Sequence, residues 1–197
     1  MNSPRVLSAV CSLATAALLC GASAAIAQNT TSPSVSDKKF VQEALQGGAA
    51  EVELGQLAVQ KASSEDVKQF GQKMVDDHTK MGDQMKDVAK KEGISIPNGV
   101  PAKDKELETK LKSLSGESFD NAYIKAMLKD HQHDLSEFKK EANSGNDTSI
   151  KDAASQGQQI ISEHLKMVQD IAKTHNISTG AQSMNAGTPK GHRESER

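Results

Sequence analysis

Residues 65–93 read EDVKQFGQKMVDDHTKMGDQMKDVAKKEG, and the spacing of their side chains decides the fold. Apolar residues recur every three or four positions, which is the period of one face of an amphipathic α-helix. The stripe consists of Val67, Phe70, Met74, His78, Met81, Met85 and Val88. Ser63 and Asp66 predict a capping box at the start of this helix, and Gly93 predicts its end. The stretch therefore predicts one long helix that buries a single face.

Three further stretches repeat the pattern, at residues 37–61, 117–142 and 148–174, with Asp147 or Thr148 as the cap of the last. Residues 103–114 predict a short helix within the longer link between the second and third long helices. The other two links are tight turns, whereas the long link must return the chain to the opposite end. The pattern predicts an all-α, ferritin-like four-helix bundle of two antiparallel hairpins joined by a long crossover.

Glycines and an internal repeat refine this prediction. Gly47 and Gly48 lie inside the first helix, which predicts close approach of a neighbouring helix there. A shift of 53 positions superposes residues 70–89 on residues 123–142, including Asp77-His78 on Asp130-His131. The repeat predicts that the two hairpins are related.

Charge and composition exclude several functions. The 197 residues include 24 Lys and Arg, 26 Asp and Glu, and only five aromatic side chains. Such a balanced charge excludes a protein that binds nucleic acid by neutralising phosphates, and so few aromatics exclude a base-stacking surface.

The start of the chain predicts export. Arg5 precedes the apolar residues 6–20, and an Ala-x-Ala signal ends at Ala27, so residues 1–27 are predicted to be a cleavable signal peptide of a periplasmic protein. Two alternatives stay open: the leader remains as an anchor, or Cys20 carries a lipid. No later segment is long enough for an integral membrane span. We predict a flexible linker at 28–36, the bundle at 37–175 and a disordered tail at 176–197.

Each long helix carries one polar residue within its apolar stripe. These residues are Glu51, His78, His131 and His164. Counting from the turns places all four within about 6 Å of one level along the bundle axis. Imidazoles and a carboxylate from facing helices suit iron, manganese, zinc or copper. The other interpretation is a buried polar layer in which each histidine is neutral and hydrogen-bonded.

Acidic residues and methionines near the histidines are further candidate metal ligands. Asp77, Asp130 and Glu163 are adjacent to the histidines and are expected as alternative ligands or as partners of the ligands. The sequence contains no Glu-x-x-His, the motif of di-iron carboxylate bundles, so a standard di-iron site is not predicted. Methionines on or near the stripes either fill the core or bind copper(I). They are Met74, Met81, Met85, Met127 and Met167.

Several segments resemble a known family of exported bacterial proteins. They are 48–55 (GAAEVELG), 70–78 (FGQKMVDDH), 119–123 (FDNAY), Asp130-His131 and His164-Leu165. The sequence resembles domain-of-unknown-function family 4142 over about residues 37–174; the family is placed with ferritin-like folds, and some members are labelled as predicted outer-membrane proteins. The resemblance implies the bundle and export, and it brings no reaction, substrate or catalytic residue.

We interpret the chain as an exported, non-enzymatic bundle with a polar, metal-binding centre and a stress-related envelope role. One alternative is a metal-dependent redox or metal-storage protein that uses Glu51, His78, His131 and His164. Another is a module that docks another envelope protein through an exposed helix face or residues 103–114. A homo-oligomer is a further expected partner state.

Overall fold

The computed structural model describes residues 32–179, which contain five α-helices and no strand. The helices are α1 (Val35–Lys61), α2 (Glu65–Lys91), α3 (Ala102–Lys112), α4 (Gly116–Ser144) and α5 (Thr148–Thr174). Helices α1 and α2 pack as one hairpin and α4 and α5 as the other, while α3 lies on the crossover against α1 and α4. The predicted bundle is confirmed. The predicted signal peptide and most of the predicted tail lie outside the described residues.

Helix α1 begins two residues before the predicted position, within the stretch predicted as a linker. Its N-cap is Ser34, whose hydroxyl accepts a hydrogen bond from the Asp37 N–H at 3.1 Å. The Asp37 carboxylate accepts in turn from the Ser34 N–H at 2.9 Å. This reciprocal pair satisfies two of the N–H groups that a helix start leaves free, and so fixes the boundary.

Helix α2 begins differently from the prediction, because the capping box of Ser63 and Asp66 does not form. The N-cap is Ser64, and its side chain makes no capping hydrogen bond. Instead, the buried Asp120 carboxylate at the start of α4 accepts from the N–H groups of Ser63, at 3.0 Å, and Ser64, at 2.9 Å. The carboxylate of Asp120, from another helix, therefore caps this turn in place of the side chain of Ser63.

The other hairpin turn has the same arrangement. The Asp37 carboxylate at the start of α1 accepts from the N–H groups of Asn146, at 3.0 Å, and Asp147, at 3.1 Å. Every residue of this set lies 83 positions from its counterpart at the other turn. The pairs are Asp37 with Asp120, Ser63 with Asn146 and Ser64 with Asp147. Because each hairpin caps the turn of the other, the two are related by a pseudo-twofold axis.

The ends of α2 and α5 follow the same 83-residue offset. Gly93 and Asn176 both have a positive φ, of 64° and 55°. The next residue in each case, Ile94 or Ile177, is buried and donates back to the carbonyl of Ala89 or Ala172. This is the Schellman type of helix end. The hairpins are related as predicted, but the 53-residue shift was wrong, since it pairs the second helix of one hairpin with the first helix of the other.

The apolar core forms two clusters, one on each side of the predicted polar layer. One contains Leu54, Phe70, Tyr123, Met127 and Val168. The other contains Phe40, Met81, Phe138, Ile150 and Ile161. Each of the four long helices adds residues to both clusters. The polar residue of its stripe lies between these two groups of apolar residues. The core therefore positions the polar layer at mid-bundle.

Candidate metal centre

The four predicted residues meet between the two apolar clusters. Glu51 is 2% exposed, His78 is 1% exposed, and His131 and His164 are fully buried. The three imidazole ring centres lie 5.2 to 5.8 Å apart. Each imidazole offers one nitrogen, and these three nitrogens lie within 4.8 Å of one another. The structure thus brings together three imidazoles and a carboxylate from four different helices.

Two of the histidines are oriented by hydrogen bonds on one ring nitrogen. His131 Nδ1 lies 3.1 Å from the Met127 carbonyl oxygen, one turn earlier in α4, to which it donates. His164 Nε2 lies 2.8 Å from Asp77 Oδ2 and donates to it, and Lys73 bonds the same carboxylate oxygen at 2.7 Å. The other nitrogens, His131 Nε2 and His164 Nδ1, are buried without a partner among residues 32–179. Each ring therefore keeps one nitrogen free.

Glu51 lies against the other two histidines. Its Oε2 is 2.9 Å from His78 Nδ1, and its Oε1 is 3.6 Å from His131 Nδ1. The contact with His78 is close in distance but not aligned as a hydrogen bond, so both nitrogens of that ring are without a partner in the described part of the chain. The carboxylate therefore lies beside the imidazoles without satisfying them.

Burial sets the protonation of this centre. Removal from water lowers the pKa of His78, His131 and His164 to about 4 each. Burial also raises the pKa of Glu51 to about 8, against the opposing effect of His131. The imidazoles are consequently neutral at pH 7, which is the form that binds a metal ion.

The three flanking acids have different positions. Asp77 is half-buried and orients His164. Asp130 is half-buried, and its carboxylate lies within 4.8 Å of those of Glu51 and Asp134. Glu163 is exposed on the outer face of α5, and the structure does not bring it to the cluster, because neighbouring helical residues point about 100° apart.

Sequence reasoning missed two acids near the centre. Asp134 follows Asp130 by one helical turn, and this spacing was a signal that could have been used. It is also the residue 83 positions after Glu51. Asp104 lies on α3, where one buried carboxylate oxygen has no partner among residues 32–179. The polar sequence around Asp104 carries no signal of this position.

A cavity of about 580 Å³ connects the centre to the surface. It is lined by the buried Glu51, by Asp130 and Asp134, and by the exposed Lys39 and Lys103. Gly47 and Gly48 also line it, and a Cβ at either position would meet no atom of residues 32–179 within 4 Å. The prediction of a close helix approach at these two glycines is therefore wrong. The approach occurs at Gly55 and Gly71, where a Cβ on Gly55 would lie 2.8 Å from the Gly71 carbonyl oxygen.

The methionines that were considered as copper ligands lie mostly in the apolar core. Met74 and Met127 belong to one cluster, and Met81 and Met85 to the other. Met167 is partly buried against the first cluster. Packing accounts for all five positions.

Among the helices within residues 32–179, none is both long enough and apolar enough to cross a lipid bilayer.

Comparison with known proteins gives a family and a fold. No curated protein matches this sequence. A DUF305 protein from Streptomyces coelicolor, described as a candidate secreted protein, is similar in structure with a TM-score of 0.64 and 13% identity, over 74% of this chain and 95% of its own. A DUF305 fragment from Deinococcus radiodurans has a TM-score of 0.65 and 12% identity, over 73% of this chain and 99% of its own.

The family described as a domain of unknown function, DUF4142, matches residues 22–171. This range contains all four mid-bundle residues, and it bears out the predicted resemblance. The chain belongs to the DUF4142 family.

Proposed function

We propose that this protein is an exported, non-enzymatic metal-binding protein that holds one transition-metal ion at mid-bundle. The ligands are His78, His131, His164 and Glu51. The observation that carries the proposal is the orientation of the imidazoles: His131 and His164 each use one nitrogen on an outer partner and keep the other free. Metal-binding histidines are held in this way, because the outer hydrogen bond fixes both the tautomer and the ring direction.

A purely structural polar layer explains the geometry less well. Buried polar atoms in folded proteins normally have hydrogen-bond partners, and each one left without costs about 1–3 kcal/mol. Both nitrogens of His78, together with His131 Nε2 and His164 Nδ1, have none in the described part of the chain. One cation would accept a lone pair from one nitrogen of each ring. An ion bound at about 2 Å requires the nitrogens to be less than about 4 Å apart, so the rings, whose nitrogens lie within 4.8 Å of one another, would move closer on binding.

The donor set narrows the choice of ion. Three neutral imidazoles and one carboxylate suit zinc, copper(II) and iron(II), and four protein ligands would fill the tetrahedral coordination shell of zinc. Because Glu51 supplies the fourth donor, the ligand set favours retention of the ion over catalysis at an open position. This supports a binding or storage role.

Export to the periplasm completes the proposal. The predicted signal peptide at residues 1–27 supports it. The description of the Streptomyces coelicolor neighbour as a candidate secreted protein points the same way.

The proposal is tested by metal content. The segment 28–197 is purified from periplasm without chelator and measured by elemental mass spectrometry, beside the His131→Ala and His133→Ala variants. His133 is an exposed histidine two residues further along α4, and so is a matched control. We expect close to one zinc, copper or iron ion per chain in the wild type and in His133→Ala, and loss of that ion in His131→Ala. A wild type that takes up neither zinc, copper nor iron would overturn the proposal, as would a His131→Ala variant that keeps its ion.

A further inference from the structure

We infer that Glu51, Asp130 and Asp134 form a second cation site, which takes an oxygen-preferring divalent ion such as Mn²⁺. The inference rests on the proposed function in one respect, since Glu51 is shared with the histidine site. The second ion lies on the cavity side of Glu51, and the histidines lie on the other side.

The first support is geometric. The three residues each offer a carboxylate oxygen, and these oxygens lie within 4.8 Å of one another. Independently of its charge, Glu51 Oε1 is a fully buried acceptor without a hydrogen-bond partner among residues 32–179. Glu51 lines the same cavity as Asp130 and Asp134. A buried oxygen without a partner is stabilised by a nearby donor or cation, and a cation held by all three carboxylates would supply that stabilisation.

The second support is the lack of a compensating charge. Within the described ranges, neither Asp130 nor Asp134 forms an ion pair with a lysine or arginine. Lys103 is the basic residue on the adjacent stretch of α3, but it is exposed and pairs with Asp104 at 4.0 Å. Carboxylates gathered at a partly buried site are stable when a cation neutralises them.

The third support comes from the pseudo-twofold axis. Asp134 is the counterpart of Glu51, and the residue that corresponds to His131 in the other hairpin is Gly48, which leaves open space. The counterparts of His78 and His164 are Ile161 and Met81, and both line the cavity. The cavity therefore occupies the position that the axis relates to the histidine cluster. One half of the centre offers nitrogen donors, and the other half offers carboxylate oxygens and room for water.

The donor atoms determine the class of ion. Sites with only oxygen ligands prefer Mg²⁺, Ca²⁺ and Mn²⁺, whereas imidazole-rich sites prefer zinc and copper. These ions keep several waters when bound, and the cavity has room for them. Mn²⁺ is a suitable probe because its electron paramagnetic resonance signal reports the free ion directly.

The experiment titrates Mn²⁺ into zinc-loaded protein and compares the wild type with Asp134→Asn and Glu137→Gln. Glu137 lines the same cavity on the same helix, but it pairs with Lys140 and is outside the carboxylate cluster, so it is the matched control. We expect one Mn²⁺ per chain in the wild type and in Glu137→Gln. In Asp134→Asn we expect the dissociation constant for Mn²⁺ to rise by about tenfold or more, with the zinc content unchanged.

The possible results separate the two proposals. Zinc binding without Mn²⁺ binding would overturn the second site and leave the histidine site standing. Mn²⁺ binding that neither Asp134→Asn nor Asp130→Asn weakens would also overturn it. Mn²⁺ binding by a protein that takes up neither zinc, copper nor iron would overturn the proposed function alone, and binding of none of the four ions would overturn both. If Asp134→Asn loses its helical circular dichroism, Asp130→Asn decides the test.

Discussion

Residue by residue, the centre is held in a neutral form by burial. The pKa of each of the three histidines is lowered to about 4, and that of Glu51 is raised to about 8, in both cases chiefly by removal from water. Each group therefore carries less charge at neutral pH than it would in the unfolded chain. A metal ion reverses this for Glu51, since a bound cation favours the carboxylate.

The raised pKa of Glu51 predicts how stability depends on pH. Its folded pKa of about 8 exceeds the unfolded value of 4.5, so the folded state binds more protons between these limits and stability falls as pH rises. The lowered pKa values of the three histidines make stability rise with pH, but only between about pH 4 and 6.5. We expect metal-free protein to lose stability from pH 6.5 to 8, with Glu51 contributing about 1–2 kcal/mol of the loss. Urea unfolding at both pH values measures this, and an equal loss in Glu51→Gln would contradict it.

Asp77 gives a second prediction, because it orients His164 without being one of the proposed ligands. Its replacement by alanine removes the hydrogen bond on Nε2 and frees the ring to rotate. We expect Asp77→Ala to weaken metal binding by about 10- to 100-fold. Asp76→Ala is the control, because Asp76 is exposed on the same helix. Competition against a chelating dye measures both variants, and equal affinities would show that Asp77 has no orienting role.

The helices themselves are anchored by carboxylates that reach across the bundle. Asp120 accepts hydrogen bonds from two N–H groups of the α1–α2 turn and from the Ser63 hydroxyl, and it is 1% exposed. This contact also explains why the local capping box predicted from Ser63 and Asp66 did not form. A pattern within one helix cannot show that a residue 57 positions away will supply the cap.

Asp120→Ala tests this anchor. The substitution leaves two N–H groups of the turn without their charged acceptor, so we expect a loss of about 2–4 kcal/mol in the free energy of unfolding. Asp170→Ala is the control, because that exposed carboxylate only pairs with Lys173 on its own helix; such pairs contribute little. Urea denaturation measures both. A loss below about 1 kcal/mol in Asp120→Ala would mean that water replaces the carboxylate at the turn.

Two glycines of the first hairpin should respond oppositely to alanine. At Gly48 a Cβ would meet no atom of the described part of the chain within 4 Å, so Gly48→Ala should stabilise the helix by about 0.5–1 kcal/mol. At Gly71 a Cβ would lie 2.8 Å from the Ala58 Cβ and 2.9 Å from the Gly55 carbonyl oxygen, so Gly71→Ala should destabilise. Thermal unfolding midpoints should move up for the first variant and down for the second. Shifts of the same sign would contradict the helix contact described above.

Across the whole molecule, the pseudo-twofold axis organises both the core and the centre. The sequence periodicity was sufficient to predict four long helices and the four polar residues between the apolar clusters, because burial and helical spacing are local properties of each stripe. It was not sufficient for Asp104 and Asp134. The position of Asp104 depends on how the crossover packs, and that of Asp134 depends on the 83-residue offset between the hairpins. The sequence similarity between residues 70–89 and 123–142, at a shift of 53 positions, obscured that offset.

The proposed ion should stabilise the whole molecule, since the proposed ligands come from four helices and meet only when both hairpins are docked. At a free zinc concentration 100 times the dissociation constant, the expected gain is about 2.7 kcal/mol. Differential scanning calorimetry with and without zinc measures it as a higher unfolding temperature. His131→Ala should show no such gain, and an unchanged wild-type transition would mean that zinc does not bind the native state preferentially.

The exchange of caps between the hairpins has a consequence for assembly. Since Asp37 completes the turn of the second hairpin and Asp120 completes the turn of the first, the molecule resembles a dimer of two similar subunits tethered by the crossover. Two chains that trade hairpins would keep every one of these contacts, because each turn would still meet its acceptor, now supplied by the other chain. A crossover that opened at high protein concentration would thus lead to a domain-swapped pair in which each mid-bundle set of histidines comes from two polypeptides.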